Sequence, residues 1–173
     1  YVNDGSTDRS GPILKDILAT SSRVTVLTFR RNQGKSPALA AGFAEAKYGI
    51  VITMDADLQD DPQEFQNLIA KLAEGYDLVS GWKKKRHDPI MKTVPSKFFN
   101  SMTSLFSGLR LHDFNCGLKA YRKEVTDSLH VYGEMHRYLP ALAHWQGFRV
   151  TEIPVVHHPR KFGKSKFGSS RFF

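Results

Sequence analysis

Short apolar blocks recur along this chain, and their period switches between two residues and roughly 3.6. Ile50 to Met54 is the clearest, a mostly β-branched run that predicts a strand buried on both faces. Tyr1-Val2 reads as a strand end entering a turn at Gly5, with Asp8 or Ser10 placed to cap a helix near Pro12 to Leu18. Val24 to Phe29 predicts a strand, Arg30 to Lys35 a basic turn, and residues 36 to 47 a helix with Leu39, Phe43 and Ala46 on one face. Asp61-Pro62-Gln63-Glu64 has an N-cap acid, a proline at the first helical position and a glutamate at the third. A helix should start there, and Phe65, Leu68, Ile69 and Leu72 repeat at its spacing before a strand over Tyr76 to Ser80. The order β-α-β-α-β-α-β predicts an α/β fold with a mostly parallel central sheet flanked by helices.

After Trp82 the pattern changes. Val94 to Leu109 carries Phe98, Phe99, Met102, Leu105, Phe106 and Leu109 in a broad stripe, which fits a core helix better than a membrane-surface helix. His112 to Gly117 is a polar turn, Leu118 to Arg122 a strand, 136 to 146 a helix and Phe148 to Val156 a strand, followed by a basic tail. No repeat or interdomain linker divides the 173 residues, so one domain over 1–173 is expected.

Two carboxylates follow the strand at Ile50 directly. Strand side chains alternate, so Asp55 and Asp57 point to one side if the extended geometry continues, and can offer oxygen ligands to one hard cation. The carboxyl end of a strand is also where open α/β sheets bind ligands, nucleotides among them. A bare D-x-D is common in solvated loops. Here Asp60 and Asp61 already serve the helix start, where the dipole favours negative charge, and Asp55 and Asp57 stand earlier, where capping does not need them.

Net charge and cysteine content narrow the picture further. A formal charge of +8 implies an anionic partner. Much of the excess lies in Lys83-Lys84-Lys85-Arg86, which a solvated face explains as well, and in Arg160 to Lys166, whose glycine-broken pattern suits a phosphate-gripping loop. The single cysteine, Cys116, forms no internal disulfide, suits a reducing compartment and reads as a small buried residue. No apolar run reaches the roughly 18 residues of a membrane span, so this piece is expected to be soluble by itself.

Four stretches together resemble the family-2 glycosyltransferases of GT-A fold: Val2 to Asp8, Asn32-Gln33-Gly34-Lys35, Asp55 to Pro62, and Asp113 to Arg122. Their details are most similar to the polyprenyl-phosphate branch, which includes the dolichol-phosphate mannosyltransferases. The resemblance spans nearly the whole chain. It implies a Rossmann-like nucleotide-binding sheet and inverting transfer of a sugar from a UDP- or GDP-sugar to a polyprenyl or dolichyl phosphate. By resemblance, Asp4 contacts the nucleotide's base or ribose. Asp55, Asp57 and Gln59 hold Mg²⁺ or Mn²⁺ against the diphosphate, with Asp55 also facing the nucleotide-sugar. Asp113 stands near the acceptor as a base, Arg122 lies just past that motif as a donor contact, and Arg160 and Lys166 belong to a basic loop closing over phosphates.

The same resemblance implies that the chain lacks the family's first strand and its C-terminal membrane helices. The longer protein is then expected at the cytoplasmic face of a membrane, with self-association allowed and nucleic acid not a partner. The Q-x-x-R-W motif of processive polysaccharide synthases is absent from this sequence. Three other readings stay open at this point: a different acceptor, a nucleotidyltransferase, and a basic nucleic-acid-binding domain. The last leaves Asp55, Asp57 and Asp113 without a role.

Overall fold

The computed structural model describes residues 1–84, 100 and 102–159. In chain order the elements are β1 (Val2–Asn3), α1 (Ser10–Thr20), β2 (Leu27–Thr28), α2 (Lys35–Glu45), β3 (Ile50–Thr53), α3 (Glu64–Ala73) and β4 (Leu78–Trp82). A helical stretch at residues 102–107, here α4, follows. Then come β5 (Lys119–Arg122), α5 (Lys123–Ser128), a 3-10 turn (Met135–Arg137), α6 (Leu139–Trp145) and β6 (Val150–Pro154).

Strand pairing departs from the parallel expectation at one place. β1 and β2 pair in parallel, and β4 and β6 do so too, but β5 runs antiparallel between β3 and β4, giving the order β3-β5-β4-β6. The larger sheet is therefore mixed. β3 and β4, joined through a helix as the pattern requires, are separated in space by a strand from much later in the chain. Register settles the ends: Thr53 and Ser80 both lie opposite Lys119, while Ile50 and Leu78 lie opposite Arg122 and Tyr121. The carboxyl ends of β3, β4 and β6 and the amino end of β5 thus meet along one margin.

Alternation along the strands builds a core on each face. Leu78 and Tyr121 face α2, α5 and α6, packing with Phe43, Val125, Leu129, Leu139 and Ala143. The Phe43 and Tyr121 rings meet edge to face at 5.3 Å, a geometry worth about 0.5–1.5 kcal/mol beyond burial. One residue along each strand, Val79 and Ala120 face α3, with Leu68, Leu72, Cys116, Leu118 and Val155.

The predicted start of α3 is displaced. Asp61 Oδ1 accepts the Gln63 N–H at 2.9 Å, as a cap should, but regular helix begins at Glu64. Glu64 does not reach back to complete a capping box. Its carboxylate is buried and accepts the Val156 N–H at 3.0 Å and the Asn67 amide at 2.7 Å, tying α3 to the end of β6. Asp8 supplies the bond at the start of α1, accepting the Ser10 N–H at 2.9 Å. Residues 136–146, expected as one helix, are divided at Tyr138, with Pro140 in the first turn of α6. Of the stripe expected over 94–109, residues 94–99 and 101 lie outside the described residues, and Leu105 and Phe106 on α4 are exposed rather than core. Among the described residues no helix is long and apolar enough to cross a membrane.

Candidate active site

Asp55 leaves the end of β3 and meets Lys35, the first residue of α2. The Lys35 ammonium donates to Oδ1 at 2.6 Å and Oδ2 at 2.9 Å. Burial pushes the Asp55 carboxyl up, but the charge and hydrogen bonds of Lys35, together with the charges of Lys83 and Lys119, outweigh it and hold the carboxyl below its ordinary value, so it stays ionised. Gly117 lies against the same carboxylate: a Cβ there would stand 2.4 Å from Asp55 Oδ2. Only a residue without a side chain leaves Asp55 its place. The Thr53 hydroxyl, donating to the Gly117 carbonyl at 2.9 Å, holds that loop beside β3.

Beyond Asp55 the chain turns sharply. Asp57 Oδ1 accepts the Gln59 N–H at 3.2 Å, and Leu58 between them sits at φ 61°, a left-handed conformation unusual for a leucine. The turn sends Gln59 away from Asp55, where its amide donates to the His158 carbonyl at 3.2 Å and lies 3.3 Å from His157 Nε2. Asp55, Asp57 and Gln59 therefore have separate partners, and no group of three His, Cys, Asp or Glu gathers as a metal cluster among the described residues. A divalent cation still fits part of this set. Asp55 is ionised, Asp57 is half-buried two positions on, and both present the hard oxygens that Mg²⁺ and Mn²⁺ take, often with only one or two protein carboxylates. Gln59 would have to leave His158 to join them.

Asp60, expected to serve the helix start, is 5 % exposed. It forms an isolated β-bridge with His157 and an ion pair with Lys83 at 3.2 Å. Lys83 thus turns inward from a charge run that a solvated face also explained, while Lys84 stays exposed over the Trp82 ring at 5.7 Å. Through Asp60 and Gln59 the acidic loop is joined to His157 and His158. Arg160 and Lys166 lie outside the described residues.

Asp4 links the two N-terminal motifs. Its carboxylate accepts the Gln33 N–H at 2.7 Å and the Gly34 N–H at 2.9 Å, and Asn32 donates to its carbonyl at 3.2 Å. Gly5 at φ 65° lets the two turns touch, since a Cβ there would lie 2.3 Å from the Arg31 backbone. This contact orients Gly34 and hence the start of α2 that carries Lys35.

Asp113 is 1 % exposed, in a turn fixed from several directions. Glu152 on β6 accepts the N–H groups of His112 at 2.9 Å and Asp113 at 3.3 Å, and also bonds the His112 imidazole. Asn100 donates to the His112 carbonyl at 2.6 Å, and Trp82 stacks on the His112 ring at 4.0 Å. Nearby, Lys119 is 3 % exposed and donates to the Cys116 carbonyl; burial holds its ammonium below the ordinary value. Burial likewise pushes the Cys116 thiol up to about 11, so it is protonated at neutral pH and fills core space, as its sequence context suggested.

Arg122 is not brought to this group. It stands at the opposite end of β5, where its guanidinium donates to the carbonyls of Tyr76 at 3.2 Å and Leu72 at 3.1 Å, closing the C-terminus of α3. Conversely, the structure adds residues that carried no role in the sequence reading. Lys35, Lys119 and His136 line a cavity of about 40 Å³ with Asp55, Asn115 and Gly117. Lys35 and Lys119 at least stand inside the quoted motifs. His136 and Glu152 lie in stretches read only as helix and strand.

Residues 1–129 match the family Glycosyl transferase family 2. An undecaprenyl-phosphate 4-deoxy-4-formamido-L-arabinose transferase of Klebsiella pneumoniae subsp. pneumoniae is 37% identical over 98% of this chain and 52% of its own length. Its namesake in Shewanella sediminis is 36% identical over 96% of this chain and 51% of its own. The chain thus spans about half the length of the curated relatives it matches. In fold it is similar to glucosyl-3-phosphoglycerate synthase of Mycobacterium tuberculosis, solved with Mn²⁺ and UDP-glucose (TM-score 0.67, 20% identity, 94% of this chain and 60% of that one). A mannosyltransferase of Pyrobaculum calidifontis, solved with GDP-mannose and Mn²⁺, is also similar (TM-score 0.65, 21% identity, 99% and 49%). These are GT-A glycosyltransferases, and the mixed sheet flanked by helices is their fold. With its motifs meeting along one margin of that sheet and the match covering most of its length, the chain belongs to glycosyl transferase family 2.

Proposed function

We propose that the protein transfers a sugar, with inversion, from a UDP- or GDP-sugar to a polyprenyl phosphate, using Mg²⁺ or Mn²⁺. The observation that carries this reading is the ionised Asp55 at the end of β3, ringed by Lys35, Lys119 and Gly117, in a chain 37% identical to an undecaprenyl-phosphate sugar transferase. Asp55 and Asp57 would hold the cation, which when bound neutralises the diphosphate as it leaves. Lys35 and Lys119 add positive charge beside it, and Arg160 and Lys166 would add more from the tail; arginine suits bidentate phosphate contact. Asp4 would contact the nucleotide from the turn it already orders.

In the reaction the bond from the anomeric carbon to the diphosphate oxygen breaks, and the nucleoside diphosphate departs with the electron pair. An acceptor phosphate oxygen forms the new bond from the opposite face. Phosphate monoesters lose their second proton near pH 6, so the acceptor is largely anionic at neutral pH. Asp113 is then needed to orient the acceptor or take a residual proton rather than to act as a strong base. The donor is water-soluble and the acceptor's tail is lipid. The site therefore faces water at a membrane surface, which we place on the cytoplasmic side, with self-association of the full protein allowed.

The test is a panel of UDP- and GDP-sugars with undecaprenyl phosphate in vesicles, with Mg²⁺, Mn²⁺ or chelator, on the full protein. Formation of a glycosylated polyprenyl phosphate that chelator abolishes is the expected result. Transfer unaffected by chelator removes the metal, and pyrophosphate release from a nucleoside triphosphate replaces the reading with a nucleotidyltransferase. Asp57→Asn should lower donor affinity, whereas Asp113→Asn should keep it and slow transfer by less than the roughly 10² to 10⁴-fold typical of general-base removal.

A further inference from the structure

His136 and Ser36 stand 100 residues apart in sequence and share two hydrogen bonds. The His136 backbone N–H donates to Ser36 Oγ at 3.0 Å, and the same oxygen lies 3.0 Å from His136 Nδ1. Ser36 is fully buried, so its single hydroxyl proton needs an acceptor. Nδ1 is the one in reach among the described residues. Ser36 therefore donates to Nδ1, and the ring proton resides on Nε2. Burial first, and then the charge of Lys35, push the imidazole down to about 4, so it is neutral at physiological pH. The ring lines the cavity shared with Lys35, Asp55, Gly117 and Lys119, and no described residue accepts its Nε2 proton.

We infer that His136, locked by Ser36 as the Nε2–H tautomer, donates a hydrogen bond to an oxygen of the nucleotide-sugar bound at Lys35, Asp55 and Lys119. The inference rests on the donor-binding part of the proposed function. A neutral donor complements the lysines: it selects a hydroxyl or phosphate oxygen by position, without adding charge to a group that already carries two cations.

Two substitutions separate this role from mere support. Asparagine places an acceptor where Nδ1 was and so keeps the Ser36 bond, but it lacks the distal donor. Glutamine places an amide nitrogen near the Nε2 position but loses the Nδ1 acceptor. In calorimetric titrations of the full protein with UDP-glucose and GDP-mannose in Mn²⁺, His136→Asn should weaken binding about five- to tenfold at unchanged Tm, as the loss of one such bond implies. His136→Gln should bind within about threefold of wild type at a lower Tm. The opposite ranking, or equal loss in both, overturns the inference. Imidazole nitrogen NMR of the wild type reports the tautomer without any ligand. Nδ1–H there overturns the inference and leaves the proposed function standing, whereas a wild type that binds no member of the UDP- and GDP-sugar panel overturns the proposed function itself.

Discussion

Lys35 Nζ lies 2.6 Å from Asp55 Oδ1, so the first acid of the D-x-D already holds a cation before any metal arrives. An ammonium and a divalent ion would compete for the same oxygens. Lys35→Met should therefore raise Mn²⁺ affinity in the absence of nucleotide and lower affinity for UDP-glucose, which loses a positive charge beside its diphosphate. Mn²⁺ binding followed by electron paramagnetic resonance checks the first half and calorimetry the second. A fall in both would mean that Lys35 shapes Asp55 rather than competing for it.

Gly117→Ala tests the cradle. The added Cβ would stand 2.4 Å from Asp55 Oδ2, so the carboxylate or the Cys116–Leu118 loop must shift. We expect donor affinity to fall at least about tenfold, because a misplaced ligand costs more than one ordinary hydrogen bond of about 1 kcal/mol. Circular dichroism should remain that of wild type. Undiminished donor binding would remove Asp55 from the donor site.

Glu152→Gln addresses the Asp113 turn. The amide keeps one acceptor oxygen but loses the charge that serves two backbone N–H groups and the His112 imidazole. Loss of a charge-assisted bond of about 1.5 kcal/mol corresponds to roughly tenfold. That factor should appear in kcat, with donor affinity unchanged, since Glu152 touches the Asp113 turn and not Lys35 or Asp55. A matching loss in donor affinity would assign Glu152 to the sheet margin as a whole.

Acid should destabilise the protein through His136. The imidazole has an ordinary pKa of 6.5 and is held at about 4 in the fold. Between those values the unfolded chain binds more protons than the folded one, so stability rises with pH and is lost as pH falls from about 6.5 towards about 4. Half-exposure of the ring keeps the effect below the full linkage value. Urea unfolding at pH 7 and pH 5 should show a larger difference for wild type than for His136→Asn, which has no imidazole to protonate. Equal differences would show that His136 does not set the pH response.

Local signals were legible in the sequence wherever one element decided its own shape. The strand after Gly49, the acids that follow it and the Asp61 bond ahead of α3 were read from neighbours within a few positions, and the structure keeps them in outline. β3 forms over Ile50–Thr53, but Ile50 and Met54 are exposed rather than buried on both faces, and α3 starts later than Asp61. Whatever depends on a distant strand was not legible. Leu118 to Arg122 has the composition of a strand in either direction, and its antiparallel insertion between β3 and β4 follows from tertiary pairing. The same reversal sends Arg122 away from Asp55 while bringing Lys119 to it. Asp60 and Glu64 looked like helix-start acids because the residues that bury them, Lys83, Val156 and His157, come later in the chain. His136 carried no signal at all, since its partner Ser36 is an ordinary serine in a helix's first turn.

The pairing of the acidic loop with His157 bears on how the chain becomes folded during synthesis. Gln59 and His157 are separated by 98 positions, and among the described residues β6 is the last strand to emerge. While β1 through β4 are already outside the ribosome, the β6 position beside β4 has no occupant, Asp60 lacks His157 and Glu64 lacks the Val156 N–H. Contacts of such long sequence separation slow folding, because loop closure is paid before the contact forms. A nascent chain halted before Val150 should therefore carry Asp60, Glu64 and Asp113 without the strand that fixes them, and the acidic loop and the Asp113 turn should reach their final arrangement in one late step, with the docking of β6.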